Sequence, residues 1–307
     1  MKILITGGAG YVGTVLLPFL LEQNHEITVY DSLLFGGDQL IPFFKYPNFH
    51  FILGDIRNKE LLNDVVKNQD IFIHLAAIVG YPACRKNPHL AETTNVDGTI
   101  NLIEAANNRP IIFASTGSNY GAVEDICTED TPLNPLSLYG QTKTLAETML
   151  LDKANAVVFR FATAFGPSPR LRLDLMVNDF TYKCISQGYI VVYEKEFKRT
   201  FIHVHDMARA IDLAVNNIEK MMHNAYNVGS NSMNYTKQDI CDIISSKTGA
   251  HIHYADVGED ADKRNYEVSY AKINALGYDT TKNVETGIDE LIEIFKVIDS
   301  TSKYGNV

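Results

Sequence analysis

Short runs of consecutive apolar residues alternate with amphipathic stretches through the first half of the chain. Residues 3–6, 26–30, 50–53, 71–75, 110–114 and 156–161 read as strands, apolar at successive positions as strands covered on both faces must be. Between them, residues 11–22, 59–67, 97–107 and 139–151 carry the helical period. Regular alternation of strand and helix predicts an α/β fold, a doubly wound parallel sheet with helices on both faces. After Phe165-Gly166-Pro167 the rhythm changes. Residues 189–193 and 201–204 read as strands, and 205–217, 236–248 and 284–299 as helices, the second opening on Thr236-Lys237-Gln238-Asp239, a weak capping box. We therefore expect a nucleotide-binding domain over residues 1–165, rejoined by 198–224. A smaller C-terminal α/β substrate domain would comprise 166–197 and 225–307, with the ligand between the two.

Composition narrows the classes. The chain has 307 residues, 46% hydrophobic and 21% charged, which suits a large globular domain with a smaller partner. The net charge of −10 sets the bulk surface against nucleic acid and acidic membranes, so phosphate on a ligand must be met by helix N-termini or a few arginines. Cys84, Cys127, Cys184 and Cys241 form no C-x-x-C pair and read as scattered reduced thiols of a cytoplasmic protein. The apolar run at the N-terminus is too short for a signal peptide, and no stretch is long enough to span a bilayer.

Gly7-Gly8-Ala9-Gly10-Tyr11-Val12-Gly13 follows the first strand and opens the first helix. Glycine at these spacings permits a tight turn and close approach of backbone to a pyrophosphate, which then lies on the helix N-terminus: a Rossmann-type site. Asp31 ends the second strand, where a carboxylate accepts from a ribose 2′-hydroxyl and repels a 2′-phosphate, so NAD is expected over NADP. Asp55 and Ile56 follow the third strand, and either hold adenine or begin the helix near Asn58. Leu75, Ala76 and Ala77 end the fourth, small enough for nicotinamide ribose to lie against the backbone.

Tyr139-Gly140-Gln141-Thr142-Lys143 sets a phenol and an ammonium on one helix face. A nearby cation favours the phenolate and gives a base for an alcohol proton as hydride departs. Ser115-Thr116-Gly117-Ser118-Asn119-Tyr120-Gly121 follows the fifth strand, and a hydroxyl there would polarise the reacting oxygen. For Ser118, function and a simple Ser/Thr turn are equally open. His203 and His205 could suggest a metal, but their place at a strand-to-helix junction beside Asp206 favours a structural role, and no metal site is expected.

With these motifs, and with Asn95-Val96-Asp97-Gly98-Thr99, Arg160-Phe161 and Arg199 before Phe201-Ile202-His203-Val204, nearly the whole chain resembles the extended short-chain dehydrogenases/reductases, the family of nucleotide-sugar epimerases and dehydratases. The resemblance implies that Thr116, Tyr139 and Lys143 are catalytic. It implies NAD contacts from Gly7, Gly10, Tyr11, Val12, Gly13, Asp31, Asp55, Ile56, Leu75, Ala76, Ala77, Asn95, Ala114 and Phe161, joined by Tyr139 and Lys143. It also implies that a nucleotide-diphosphate sugar meets Val79, Gly80, Thr116, Ser118, Asn119, Thr163, Asp174, Arg199 and Arg264. Arg170 and Arg172 are left between phosphate contact and solvated surface. Pairing of the helices at 97–107 and 139–151 across a homodimer follows by analogy.

A finer resemblance links Ala77-Ile78-Val79-Gly80, Phe165-Gly166-Pro167-Ser168-Pro169-Arg170-Leu171-Arg172-Leu173-Asp174 and the segment from Gly258 to Arg264 to the GDP-mannoheptose 4-dehydrogenases. It implies oxidation of a sugar C4 hydroxyl to a ketone. A 4-epimerase of the UDP-glucose 4-epimerase type is the alternative, and a non-enzymatic NAD sensor on the same fold is the rival from another class. The 4,6-dehydratases carry Asp-Glu after the catalytic threonine; Gly117 and Ser118 stand here, which argues against dehydration.

Overall fold

The computed structural model describes residues 1–123, 125–255, 267–298 and 304–306. Its centre is a seven-stranded parallel sheet. The order across it is Asn224–Val228, Ala156–Phe161, Ile111–Thr116, Ile71–His74, Lys2–Thr6, Glu26–Asp31, Phe49–Leu53. The chain starts inside the sheet at Lys2–Thr6, builds outward to one edge, then returns to build the other half. The reversal opens a crevice beyond the C-terminal ends of Lys2–Thr6 and its neighbour Ile71–His74, where open α/β sheets receive their ligands.

Side chains alternate across the sheet with the period of two that strands impose. Ile3, Ile5, Ile71, Ile73, Val157 and Phe159 face one way and pack with Leu16, Leu17 and Leu20 of helix Gly13–Glu22 and Ala210, Ile211 and Ala214 of helix Val204–Asn216. Leu4, Phe72, Ile111, Phe113, Ala156 and Val158 face the other way, against Leu62, Leu102, Ala146 and Leu150 of helices Lys59–Val65, Gly98–Ala106 and Leu138–Lys153. Cover on both faces explains the unbroken apolar runs of these strands.

A second core collects Phe165, Leu171, Val177, Ile190, Phe201, Ile240, Ile244, Ile288 and Leu291. It lies among helices Met176–Gln187, Lys237–Thr248 and Val284–Phe295. The capping box at Thr236 is complete: Thr236 Oγ1 accepts from Asp239 N at 3.0 Å, and Thr236 N donates to the Asp239 carboxylate at 2.8 Å.

Two boundaries differ from the sequence reading. Strand Asn224–Val228 carries the large sheet four residues past the expected limit at 224. Strand Lys198–His203, expected to rejoin that unit, belongs to a separate three-stranded sheet with Thr163–Phe165 and Asn234–Thr236; the helix after it is what returns to the large sheet. Among the described residues no helix is long and apolar enough to cross a membrane.

Candidate active site

The crevice holds a cavity of about 430 Å³. The glycine turn, Asp31 and Asp55 line one end; Thr116, Tyr139 and Lys143 line the other, and Arg172 neighbours both Tyr11 and Tyr139.

At the glycine end, Gly7 has φ +72°, and a Cβ there would sit 2.5 Å from the backbone nitrogen of Ala76. A side chain would part the turn from the end of Ile71–His74. Gly10 N donates to Gly7 O at 3.0 Å, and the helix begins at Gly13 with no side-chain cap at Val12. Gly10, Tyr11, Val12 and Gly13 at the start of this helix line the cavity, so an anion there would meet the positive end of the dipole. The cradle fits a pyrophosphate. Tyr11 points away: its hydroxyl donates to Gly166 O at 2.7 Å, pinning the turn to the loop after Thr163–Phe165.

Asp31 lies on the cavity wall and accepts from Ala9 N at 3.0 Å and Leu33 N at 2.8 Å. Burial pushes its carboxyl above the usual range, and the two amide bonds oppose that shift. Asp55 lines the same end, half-buried and held by Arg57, whose Nη2 lies 2.6 Å from its carboxylate and keeps it below the usual range. Asn58 itself caps the next helix by accepting from Leu61 N at 3.1 Å, so that duty does not fall to Asp55. Ile56, Leu75, Ala76, Ala77, Ala114 and Phe161 supply the apolar wall between the ends.

At the far end, helix Leu138–Lys153 is capped by Ser137 Oγ, which accepts from Gly140 N at 3.1 Å. The cap fixes the helix start and brings both Tyr139 and Lys143 to the cavity. Lys143 is 3% exposed, with Nζ 3.9 Å from the Phe113 ring centroid. Burial drives its amine down to about 7, against the opposing charge of Glu147. His74 behind it is held between Thr6 Oγ1 at 2.7 Å and Thr99 Oγ1 at 3.0 Å, and burial with the Lys143 charge lowers it to about 3, so it stays neutral. Thr116 ends its strand 8% exposed; its Oγ1 accepts from Ser118 N at 3.1 Å and donates to Ser118 Oγ at 3.0 Å.

Ser118, Val79, Gly80 and Thr163 also reach the cavity. Other expected contacts stand off its wall. Asn95 is one layer behind: its amide accepts from Ile78 N at 2.7 Å and donates to Ile78 O and Thr142 Oγ1, both at 3.0 Å, so it supports the cofactor wall from outside. Asn119 is fully buried, donating to Ser115 Oγ at 3.0 Å and to Glu147 at 2.8 Å. Asp174 is turned to Arg172, with Nη2 2.6 Å from its carboxylate, and Arg199 is 7% exposed away from the cavity. Arg264 lies outside the described residues.

Arg172 and Arg170, left open by the sequence, both line the cavity. Arg170 stacks 4.6 Å over the Phe35 ring and donates to Asn306 Oδ1 at 2.7 Å, bringing the chain's C-terminal residues to the cavity rim. Glu147 beneath the site, and its pairing with Arg160, were not anticipated; the four-residue step from Lys143 to Glu147 is the signal that could have found the carboxylate. His203, weighed for a metal, accepts at Nδ1 from His205 N at 3.2 Å and has Nε2 3.1 Å from Glu290.

The model of the NAD dependent epimerase/dehydratase family matches residues 3–229. The chain is 27% identical to the low-salt glycan biosynthesis protein Agl12 of Haloferax volcanii, over 96% of this chain and 98% of that protein. It is 29% identical to CDP-paratose 2-epimerase of Salmonella typhi, over 95% and 98%. UDP-glucuronic acid 4-epimerase of Bacillus cereus, solved in complex with UDP-glucuronic acid and NAD, has the same fold at TM-score 0.87 and 24% identity, over 96% of this chain and 99% of that one.

Proposed function

This chain belongs to the NAD dependent epimerase/dehydratase family, and from that premise we propose that it binds NAD and oxidises the C4 hydroxyl of a nucleotide sugar. The observation that carries the reading is one cavity with a phosphate-accepting glycine turn at one end and Thr116, Tyr139 and Lys143 at the other. NAD, when bound, accepts the hydride. Gly10 to Gly13 hold its pyrophosphate, and Asp31 receives the ribose hydroxyl. Thr116 hydrogen-bonds the sugar oxygen. Tyr139 takes the hydroxyl proton, and the Lys143 charge stabilises the phenolate that does so. The C4 carbon becomes a ketone.

Two outcomes follow from that ketone. A dehydrogenase releases it, as the finer sequence resemblance favours. An epimerase reduces it on its other face; the family match and the 27% identity to UDP-glucose 4-epimerase of Lactobacillus helveticus favour this equally. Against dehydration stands the cavity itself: among the described residues its carboxylates are Asp31 and Asp55, both at the cofactor end.

The test is incubation with GDP-, UDP-, CDP- and dTDP-hexoses and heptoses, following NADH absorbance and product configuration. Net NADH with a new ketone supports the dehydrogenase; an epimer without net NADH supports the epimerase. Tyr139→Phe should lower the rate by about 10²–10⁴-fold and leave NADH bound. Turnover undiminished in that variant overturns the reading. We further propose a homodimer through helices Gly98–Ala106 and Leu138–Lys153, where Leu145 is half exposed. Sedimentation showing monomer alone would exclude it.

A further inference from the structure

We propose that Glu147 is a positioning residue: its buried carboxylate fastens the strand end bearing Thr116 to the helix bearing Tyr139 and Lys143, and supplies the counter-charge to the Lys143 ammonium. The proposal rests on the reading of the site given above.

Tyr139, Lys143 and Glu147 follow one another at four-residue steps and so share one face of helix Leu138–Lys153. The first two line the cavity; the third lies inside the protein at 1% exposure. There it gathers donors from the segments that build the site. Ser115, immediately before Thr116, donates through Oγ at 2.5 Å. Asn119, immediately after Ser118, donates at 2.8 Å. Arg160, immediately before Phe161 on the next strand, donates from Nε at 2.8 Å and stands with Nη2 at 2.6 Å. Arg160 is itself held, donating from Nη1 to Tyr120 Oη and Glu129 O, each at 2.9 Å, and Tyr120 donates to Asn227 at 2.6 Å.

A carboxylate that collects this many donors accounts for its own burial. Buried ion pairs are often replaceable by well-packed apolar side chains at little or no loss of stability, so the network's contribution is assigned to geometry. One group sets the height of Thr116 against the helix turn that presents the phenol and the amine.

The charge argument is separate. Lys143 stands by the Phe113 ring, neutral His74 and the Cys84 thiol, and lines the same cavity as Tyr139. Burial pushes the Cys84 thiol up to about 11, so it carries no charge at neutral pH. Glu147 is the leading influence that favours the ammonium.

The experiment follows the Lys143 side-chain resonance against pH in full-length protein carrying isotope-labelled lysine, assigned by its loss in Lys143→Met. No substrate is needed. In Glu147→Gln the midpoint should fall by about one unit or more, roughly fivefold less ammonium at pH 7 and approaching roughly tenfold at higher pH. Glu147→Asp keeps Arg160 paired and should move it the same way by less, which serves if the glutamine variant does not fold. Ser115→Ala, which keeps the ion pair, should leave the midpoint in place and slow NADH formation, per NADH-binding site, about tenfold with the sugar KM held. An unchanged midpoint in the folded Glu147 variants overturns the counter-charge, and wild-type turnover in Ser115→Ala overturns the positioning. Tyr139→Phe run alongside separates the two levels: if it alone keeps full turnover, the assignment of the base fails and the Lys143 titration still stands.

Discussion

The backbone nitrogen of Ala9 donates to the Asp31 carboxylate at 3.0 Å, so the acid that ends strand Glu26–Asp31 also braces the glycine turn. One carboxylate therefore braces the glycine turn and, on the proposed function, would also receive the ribose. Because burial raises its pKa, its acceptor capacity is lost earlier on acidification than that of an ordinary aspartate.

Asp31→Asn should weaken NAD binding roughly tenfold to a hundredfold, the range of a lost hydrogen bond to a charged group, and narrow the gap between NAD and NADP. In the wild type, NAD affinity should fall as pH drops into the weakly acidic range. In the variant that decline should be absent. Fluorescence titration of NADH and NADPH against pH reads both; parallel pH curves for the two proteins would sink the assignment.

Two glycines with similar φ separate strain from space. Gly36 has φ +85° and nothing within 4 Å of an added Cβ, whereas Gly7 has φ +72° and a Cβ would reach the Ala76 backbone. Gly36→Ala should cost about 1 kcal/mol, the left-handed penalty alone. Gly7→Ala adds a backbone collision, so about 3 kcal/mol or more is expected, with loss of NADH binding. Denaturant midpoints with NADH titration check the order, and equal losses at the two sites would contradict it.

The parallel sheet was legible because its strands are buried on both faces and read as plain apolar runs. The cavity ends were legible because glycine, Asp31 and the Tyr139–Lys143 pair have few other uses in that context. What escaped had weaker signals. Strand Asn224–Val228 carries Asn227 inside, satisfied by the Tyr120 hydroxyl, so its apolar run is broken. Helices Tyr81–Lys86 and Pro88–Glu92 are too short to establish a period. Glu147 looks like a solvated helix charge until Arg160, on another strand, is seen to meet it. Asn95 and Asn119, which the resemblance put at the ligand, are engaged in internal hydrogen bonds behind the cavity wall, a layer that position in the chain alone does not reveal.

Lys143 should make stability depend on pH in a defined direction. Burial drives its amine down to about 7 from the ordinary lysine value of 10.5, so between those values the unfolded chain binds more protons. Stability from this group is fully present above about 10.5 and is lost as pH falls toward 7. Lys143→Met removes the penalty. It should raise thermal stability most near and below neutrality, by on the order of a few kcal/mol, with the advantage shrinking through pH 9 to 10. Melting curves of both proteins across that range test it; a gain that grows with pH would reverse the sign and refute the account.

Arg172 neighbours Tyr11 of the glycine turn and Tyr139, so which part of the ligand it serves is a matter for experiment. Its guanidinium is 11% exposed, locked to Asp174 by Nη2 at 2.6 Å and Nε at 3.2 Å, and it lines the cavity in company with Gly80 and Tyr139. The carboxylate fixes the fork, leaving the remaining N–H groups to meet oxygen atoms of the sugar or its diphosphate. Arg172→Met should raise the nucleotide-sugar KM roughly tenfold to a hundredfold while NADH affinity stays within about twofold. Arg172→Lys should not restore it, because an ammonium cannot hold Asp174 at two points and still present donors to the cavity. If NADH affinity falls in step with KM, Arg172 serves the dinucleotide, and the sugar end of the cavity must be sought elsewhere on the wall.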